Sequence, residues 1–454
     1  MTKIQKQKTK TSIWWIRNDL RLYLNESLTA ANNKSDYVIP LYILDQKIFD
    51  KKNFIDSRSY AFLYEGLANL NRDIKKQNGQ VLIKISDPIS TLKQLCKQYG
   101  IDTIYTTGDY SKEFRDIILE LKNIYDINVF YDNLINPKEI LNKQNKPYKV
   151  FTRFANEWKS RNKSFKLQNS NKYKFLKFLN KEDVLPSPTK NINCFLPGVK
   201  NASDKYNDFV NNKISSYHKN RDYLFKDGTS KLSAYIKFGM LSLKNIYNEL
   251  VEQKNNEGVS KWIDELLWRE FYIYISYYFP KSLKDEFQAK YTNFAWETDI
   301  EKFNKWKYGN TGYPIVDACM KQLISTGWMH NRGRMIVASF LTKDLLIDWR
   351  MGEKWFMEQL IDGDPASNVG GWQWTAGCGV DAAPYFRIFN PVLQSKRFDP
   401  QAKFIKKWIP ELATVDIKFA HEPWLSAKSI YIPRMINHSE AKVKILNLFK
   451  SYNE

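Results

Sequence analysis

Cysteine is scarce in this chain of 454 residues: the four present, Cys96, Cys194, Cys319 and Cys378, stand far apart with no Cys-x-x-Cys pair. That spacing indicates neither a disulfide framework nor a cysteine-held zinc, and it fits a reducing cytoplasm. Histidine is as rare. His218, His330, His421 and His438 show no metal-like spacing and accompany no Ser or Cys nucleophile motif, so hydrolysis is not indicated. No apolar run approaches the roughly 20 residues needed to cross a bilayer; the longest, Phe271 to Phe279, follows Arg269 and Glu270. A soluble cytoplasmic protein without a membrane partner is expected. Met1 to Lys10 is basic and polar without an apolar segment, so it reads as a disordered tail and not a secretory signal. Acid is also in short supply, 49 Asp plus Glu against 70 Lys plus Arg, for a formal charge of +21. Such an excess suits a polyanion, nucleic acid first, although the abundance of Asn, Lys and Ile gives part of it a purely compositional origin.

The length exceeds what one core usually organises, so two domains are expected. From residue 11 to 132, short β-branched or aromatic runs (Ile13–Ile16, Tyr37–Leu44, Val81–Ile85, Asp102–Thr106, Asn128–Tyr131) alternate with amphipathic segments at Ser57–Gln77, Ile89–Tyr99 and Ser111–Tyr125. The pattern predicts an α/β domain with a parallel, Rossmann-like sheet. The glycine fingerprint of dinucleotide sites is missing after the first strand, where Trp15-Ile16-Arg17-Asn18-Asp19-Leu20-Arg21 stands, so any cofactor should bind elsewhere. Residues 133–205, rich in Lys, Asn and Pro, read as a long linker with some helix that spans or wraps and forms no core. Over 206–450 only helical periodicities remain, as at Ile263, Leu266, Leu267 and Phe271.

Eleven of the fourteen tryptophans lie beyond residue 250. Most would serve as core or interface residues wherever the ring N–H finds a partner. Between Tyr217 and Gly239 the run Thr229-Ser230-Lys231-Leu232-Ser233 offers backbone N–H groups, hydroxyls and a cation around one point, as a pyrophosphate requires. Alone, Thr-Ser is more simply an N-capping pair. In Glu265-Leu266-Leu267-Trp268-Arg269-Glu270-Phe271-Tyr272, helical spacing sets Glu265 and Trp268 on one face, although separately they could be an exposed acid and a core anchor.

These segments, with Gly312-Tyr313-Pro314-Ile315-Val316-Asp317-Ala318, Gly327-Trp328-Met329-His330-Asn331-Arg332 and Asp362-Gly363-Asp364-Pro365-Ala366-Ser367-Asn368-Val369-Gly370-Gly371-Trp372-Gln373-Trp374, resemble the class I cyclobutane pyrimidine dimer photolyases of the photolyase/cryptochrome family. Matches run from Trp14 to Trp424. The resemblance implies an α/β antenna domain joined by the linker to a mostly α-helical FAD-binding domain. It further implies repair of UV-damaged DNA by light-driven electron transfer from reduced FAD to a flipped-out dimer.

By the same resemblance Tyr217, Thr229, Ser230, Lys231, Leu232, Ser233, Trp262, Arg269, Arg334, Asp362, Gly363, Asp364 and Asn368 would hold FAD. Glu265, Asn331, Met335 and Asn368 would act at the reacting groups, and Trp372, Trp349 and Trp296 would relay electrons. Arg221, Glu265, Trp268, Arg269, Tyr272, Asn331, Arg332, Met335, Trp374, Gln394, Lys396 and Arg397 would contact DNA, the basic ones through phosphates without reading sequence. Asn at 368, where plant cryptochromes carry Asp, and Trp-Met-His-Asn at 328–331 imply dimer repair over a photoreceptor role or repair of the six-four photoproduct, which remain the alternatives. Glu113, in a segment shorter than the family's antenna loop, is the one candidate for an antenna chromophore, methenyltetrahydrofolate or a deazaflavin. No feature demands an oligomer or a protein partner, and a monomer is expected.

Overall fold

A computed structural model describes residues 9–50, 54–161, 164–170, 172–177, 183–192, 194–428 and 430–452. The expected N-terminal tail lies, through residue 8, outside them. Strands β1 (Thr11–Ile16), β2 (Tyr37–Asp45), β3 (Leu82–Ser86), β4 (Thr103–Thr107) and β5 (Asp126–Phe130) form one parallel sheet in the order β3-β2-β1-β4-β5. Every expected strand exists within two residues, because runs such as Ile13 to Ile16 are buried on both faces of a helix-covered sheet. The helices Arg58–Lys75, Pro88–Tyr99 and Lys112–Lys122 follow the predicted amphipathic segments. Glu26–Lys34, a further helix, was not foreseen: its Asn-rich sequence lacks periodicity, and it starts where the Asn25 side chain accepts from Leu28 N–H.

The strand order reverses beside β1, the place where doubly wound sheets usually open a ligand crevice. Asp19 follows β1 at that place. Its carboxylate, fully buried, accepts from Trp14 Nε1 (3.1 Å), Arg17 N (2.8 Å) and Thr107 Oγ1 (2.9 Å), among others. Two residues on, Arg21 donates to the carbonyls of Gly239 (2.9 Å) and Leu24 (3.0 Å) and pairs with Asp132 at 2.9 Å. Gly239 is required there: its φ is +61°, and a Cβ would lie 1.9 Å from the Asn18 carbonyl oxygen. The Trp-Trp-Ile-Arg-Asn-Asp-Leu-Arg segment thus ties the sheet to the helical part.

The rest is helical, with long elements at Glu257–Tyr278, Pro314–Thr326, Trp349–Gln359 and Pro365–Ala376. One expectation fails in the linker, which does contribute core. Phe154 and Trp158, on a helix Phe151–Lys159, pack with Tyr173, Phe175, Leu185 and Phe195 in a hydrophobic cluster running from Trp14 to Val380. Its Lys and Asn content masked widely spaced aromatics that find partners only in three dimensions. Among the described residues, no helix is long and apolar enough to cross a membrane.

Candidate functional site

A cavity of about 540 Å³ opens between the long helix Glu257–Tyr278 and the helix Pro365–Ala376. That is within the usual range for small-molecule and cofactor sites. Trp262, Glu265, Arg269 and Tyr272 all line it, because steps of three and four residues bring them to one face of the same helix. Opposite them the chain turns through Asp364, whose carboxylate caps the second helix by accepting from Ser367 N at 2.8 Å, with Pro365 in the first turn. Asn368 and Trp372 follow one turn apart on the lining face.

Thr229 to Ser233 form one end of the cavity. Lys231 takes a left-handed conformation (φ +52°) and Leu232 a right-handed one (φ −91°, ψ −6°), a succession that turns neighbouring N–H groups toward a common anion. Lys231 Nζ lies 2.7 Å from Asp227. Half-buried Lys237 also lines this end, held by Ser59 Oγ at 2.8 Å, and burial lowers its pKa to about 8, against the pull of Asp364 and Asp362. Cationic and N–H donors facing one cavity fit the phosphates of a nucleotide cofactor.

Beyond the cradle, Arg334 grips Asp362 with Nη2 at 2.8 Å from Oδ2 and 3.1 Å from Oδ1. Ser233 Oγ donates to the same carboxylate at 2.6 Å. Asn368 is fixed by Glu353, its amide nitrogen donating to the Glu353 carbonyl (3.0 Å) and to Oε1 (2.8 Å). A backbone carbonyl only accepts, so the amide orientation is determined and Asn368 offers its oxygen to the cavity. That oxygen fits a protonated ring nitrogen. Burial raises the Glu353 pKa against the Asn368 hydrogen bond, which lowers it.

Toward the mouth, Trp268 stacks on Phe151 with ring centroids 3.7 Å apart and planes 7° from parallel. Trp374, Tyr272, Asn331 and Met335 share this wall, and Asn331 Nδ2 lies 3.8 Å from the Met335 sulfur. Glu265 forms a short ion pair with Arg221 and lies 3.9 Å from Lys261.

Sequence reasoning foresaw much of this lining. Each residue expected to hold FAD lines the cavity, as do Glu265, Asn331, Met335, Asn368 and Trp372. The residues expected to contact DNA divide in two. Arg221, Glu265, Trp268, Arg269, Tyr272, Asn331, Met335 and Trp374 line the cavity, while Arg332, Gln394 and Arg397 line a second cleft of about 340 Å³ with Asp222 and Arg387. Arg332 donates to Asp222 at 2.9 Å and covers the Phe398 ring, and Lys396 is paired with Glu422. Trp349 is buried and Trp296 partly exposed; neither lines the cavity. Trp372 packs against the helix Trp349–Gln359 at Gly352, where a Cβ would come within 2.2 Å of the indole. Glu113 lies exposed in the first turn of the helix Lys112–Lys122, away from this cavity. Lys237, Glu353 and Trp306, whose ring meets Trp372 edge-on at 6.0 Å, were not foreseen, since no local motif announces them.

His330 does not line the cavity. It is buried and caps the helix Asn331–Ser339, Nδ1 accepting from Arg332 N at 3.1 Å, so the proton sits on Nε2, which has no partner. Burial lowers its pKa to about 4, against Asp222, which raises it. Between about pH 4 and 6.5 the unfolded chain therefore binds the proton that the folded imidazole refuses. Stability should fall by up to about 1.4 kcal/mol per unit as the pH drops through that window. Urea titrations of the protein and of His330→Asn should diverge there, and parallel curves would refute this.

Comparison with known proteins agrees with this architecture. Residues 12–171 match the family model described as DNA photolyase, and residues 262–451 the one described as FAD binding domain of DNA photolyase. A deoxyribodipyrimidine photo-lyase of Buchnera aphidicola is 38% identical over 96% of this chain and 96% of its own. That of Escherichia coli is 36% identical, covering 97% and 98%. Among solved structures, a class III photolyase from Agrobacterium tumefaciens superposes with a TM-score of 0.92 at 31% identity over the whole of both chains. An archaeal photolyase from Sulfolobus tokodaii, with two FAD molecules, gives 0.87 at 30% identity, covering 97% of this chain and all of its own.

Proposed function

The chain belongs to the DNA photolyase family, and on that premise we propose that it repairs cyclobutane pyrimidine dimers in DNA by light-driven electron transfer at the cavity described above. One observation carries the reading. A phosphate cradle, a fixed Asn368 and an aromatic mouth with Glu265 and Asn331 share one cavity. When bound there, FAD in its reduced form supplies a photoexcitable one-electron donor.

The chain's own residues then have separable tasks. Thr229 to Ser233 and Lys237 would neutralise the phosphates, the Arg334–Asp362 pair would lie beside the ring system, and the Asn368 oxygen would be free to accept from a ring N–H. Trp268 and Trp374 stack on the extruded bases, and Asn331 and Glu265 hydrogen-bond their edges. Glu265, released from Arg221 by a bound dimer, would accept hydrogen bonds from the N–H groups of the bases. The electron returns at the end, so the net reaction breaks carbon–carbon bonds without a redox change. Arg332, Arg387, Gln394 and Arg397 in the neighbouring cleft suit the backbone flanking the lesion.

Among the described residues no histidine lines the cavity, which supports dimer repair over the six-four alternative. For an antenna chromophore, the exposed Glu113 carries no preference between a folate and a deazaflavin.

The direct test follows loss of a cyclobutane thymine dimer from an oligonucleotide, with reduced flavin, under near-ultraviolet or blue light and in darkness. Light-dependent recovery of intact thymines is expected, and an unrepaired dimer beside a photoreducible flavin would overturn the proposal. Trp349→Phe should slow flavin photoreduction at least about tenfold, the change given by a barrier rise of about 1.4 kcal/mol. Repair by chemically reduced Trp349→Phe protein should stay at the level of the parent.

A further inference from the structure

Glu286 lies in a stretch without any motif, yet its side chain is buried between two of the tryptophans expected to relay electrons. Its Oε1 lies 3.3 Å from Trp349 Nε1 and 3.4 Å from Trp296 Nε1. Arg350 donates to both carboxylate oxygens, at 2.9 Å to Oε1 and 2.6 Å to Oε2, and its guanidinium carbon sits 4.7 Å from the centre of the Trp349 ring. Among the described residues, Trp372 donates no comparable hydrogen bond; it packs on Gly352 and on the rings of Trp306 at 6.0 Å and Phe356 at 5.1 Å.

We propose that Glu286 is a positioning residue of the relay, a buried anion that draws an electron vacancy outward from Trp372 and holds it at Trp296. This rests on the tryptophan relay of the proposed function. The argument is electrostatic. An oxidised indole carries positive charge, and a carboxylate on its N–H lowers the cost of that charge most where water is excluded. Trp372 has no such partner. Trp349 has one but lies under the Arg350 cation, whereas Trp296 has the carboxylate and is partly exposed to water.

The order therefore favours the outermost ring. When Trp372 gives an electron to the excited cofactor, one from Trp349 replaces it and one from Trp296 replaces that. The net loss is a single electron at Trp296, restored from a thiol in solution. Both indole protons stay on nitrogen, because the doubly bonded carboxylate is a weak base: burial would raise the Glu286 pKa, but the Arg350 hydrogen bonds outweigh it and lower it.

Glu286→Gln removes the charge at nearly constant shape, and Glu286→Gln with Arg350→Gln also removes the cation that would be left unpaired. In FAD-loaded protein, flash spectroscopy should show the long-lived protonated indole radical reduced at least about tenfold in the single variant, as loss of a close charge implies. The double variant should recover part of it. In flavin-free protein, oxidation by azide radicals followed by peptide mass spectrometry should show less oxidised Trp296 relative to Trp424 in the single variant. Unchanged radical yield and unchanged Trp296 oxidation in Glu286→Gln would overturn the proposal. If the parent protein repairs dimers when chemically reduced but forms no long-lived indole radical, the relay and this role for Glu286 fall while the repair reading stands. If it fails to repair, that reading falls separately.

Discussion

Asp362→Ala should purify almost free of flavin and lose about 3 kcal/mol of stability, the usual cost of leaving one partner of a buried ion pair alone. Asp362 is 8% exposed and its carboxylate takes hydrogen bonds from Arg334 and from Ser233, so its removal strands a guanidinium and a hydroxyl on the cavity wall. Arg334 itself stays anchored through Nε to the Met329 carbonyl at 2.9 Å, which keeps the cation facing the empty place. Asp362→Asn, which can still accept from Ser233, should retain more flavin than the alanine variant. Absorbance of the purified proteins and urea unfolding measure both effects. A flavin content equal to the parent's would show that the pair does not hold the cofactor.

Trp268→Ala should weaken binding of a dimer-containing oligonucleotide about ten- to a hundredfold, because base stacking on an aromatic ring contributes about 1–3 kcal/mol. The indole is already stacked on Phe151 along one side, so its orientation is set before any DNA arrives. Truncation removes the platform and leaves the Phe151 ring without its stacking partner. Binding to undamaged duplex, which depends on backbone contacts, should barely change, and flavin content should stay near that of the parent. Fluorescence anisotropy with damaged and undamaged oligonucleotides separates the two, and an equal loss on both would remove Trp268 from lesion recognition.

What could be read beforehand was set by short-range pattern and by contiguous motifs. Buried β-branched runs located all five strands, and the face formed by Trp262, Glu265, Arg269 and Tyr272 follows from helical spacing alone. The cradle at 229–233 was legible because its hydroxyls and backbone donors are consecutive. Long-range pairings were not. Nothing near Arg221 indicates that it will meet Glu265, 44 positions on, and nothing near Lys237 indicates Ser59, 178 positions back. Glu353 and Glu286 look like ordinary acids until Asn368 and two indoles are brought to them. The linker misled for a related reason: composition reports average polarity, whereas the core needed only Phe154, Trp158 and a few other aromatics at the right places.

Arg21 has a bearing on the life of the molecule as well as on its shape. Arg21 is 4% exposed, and its one guanidinium is shared by a loop of the sheet, the Gly239 carbonyl of the helical part and Asp132, the last residue before the linker. One apolar cluster extends from Trp14 to Val380 and so belongs to both parts, beside a second in the helical part and a third on the sheet. Opening either part therefore exposes the flank of the other, so the two are expected to unfold together as one cooperative unit. A partly open species that keeps its pigment while losing its grip on DNA therefore has little room to accumulate.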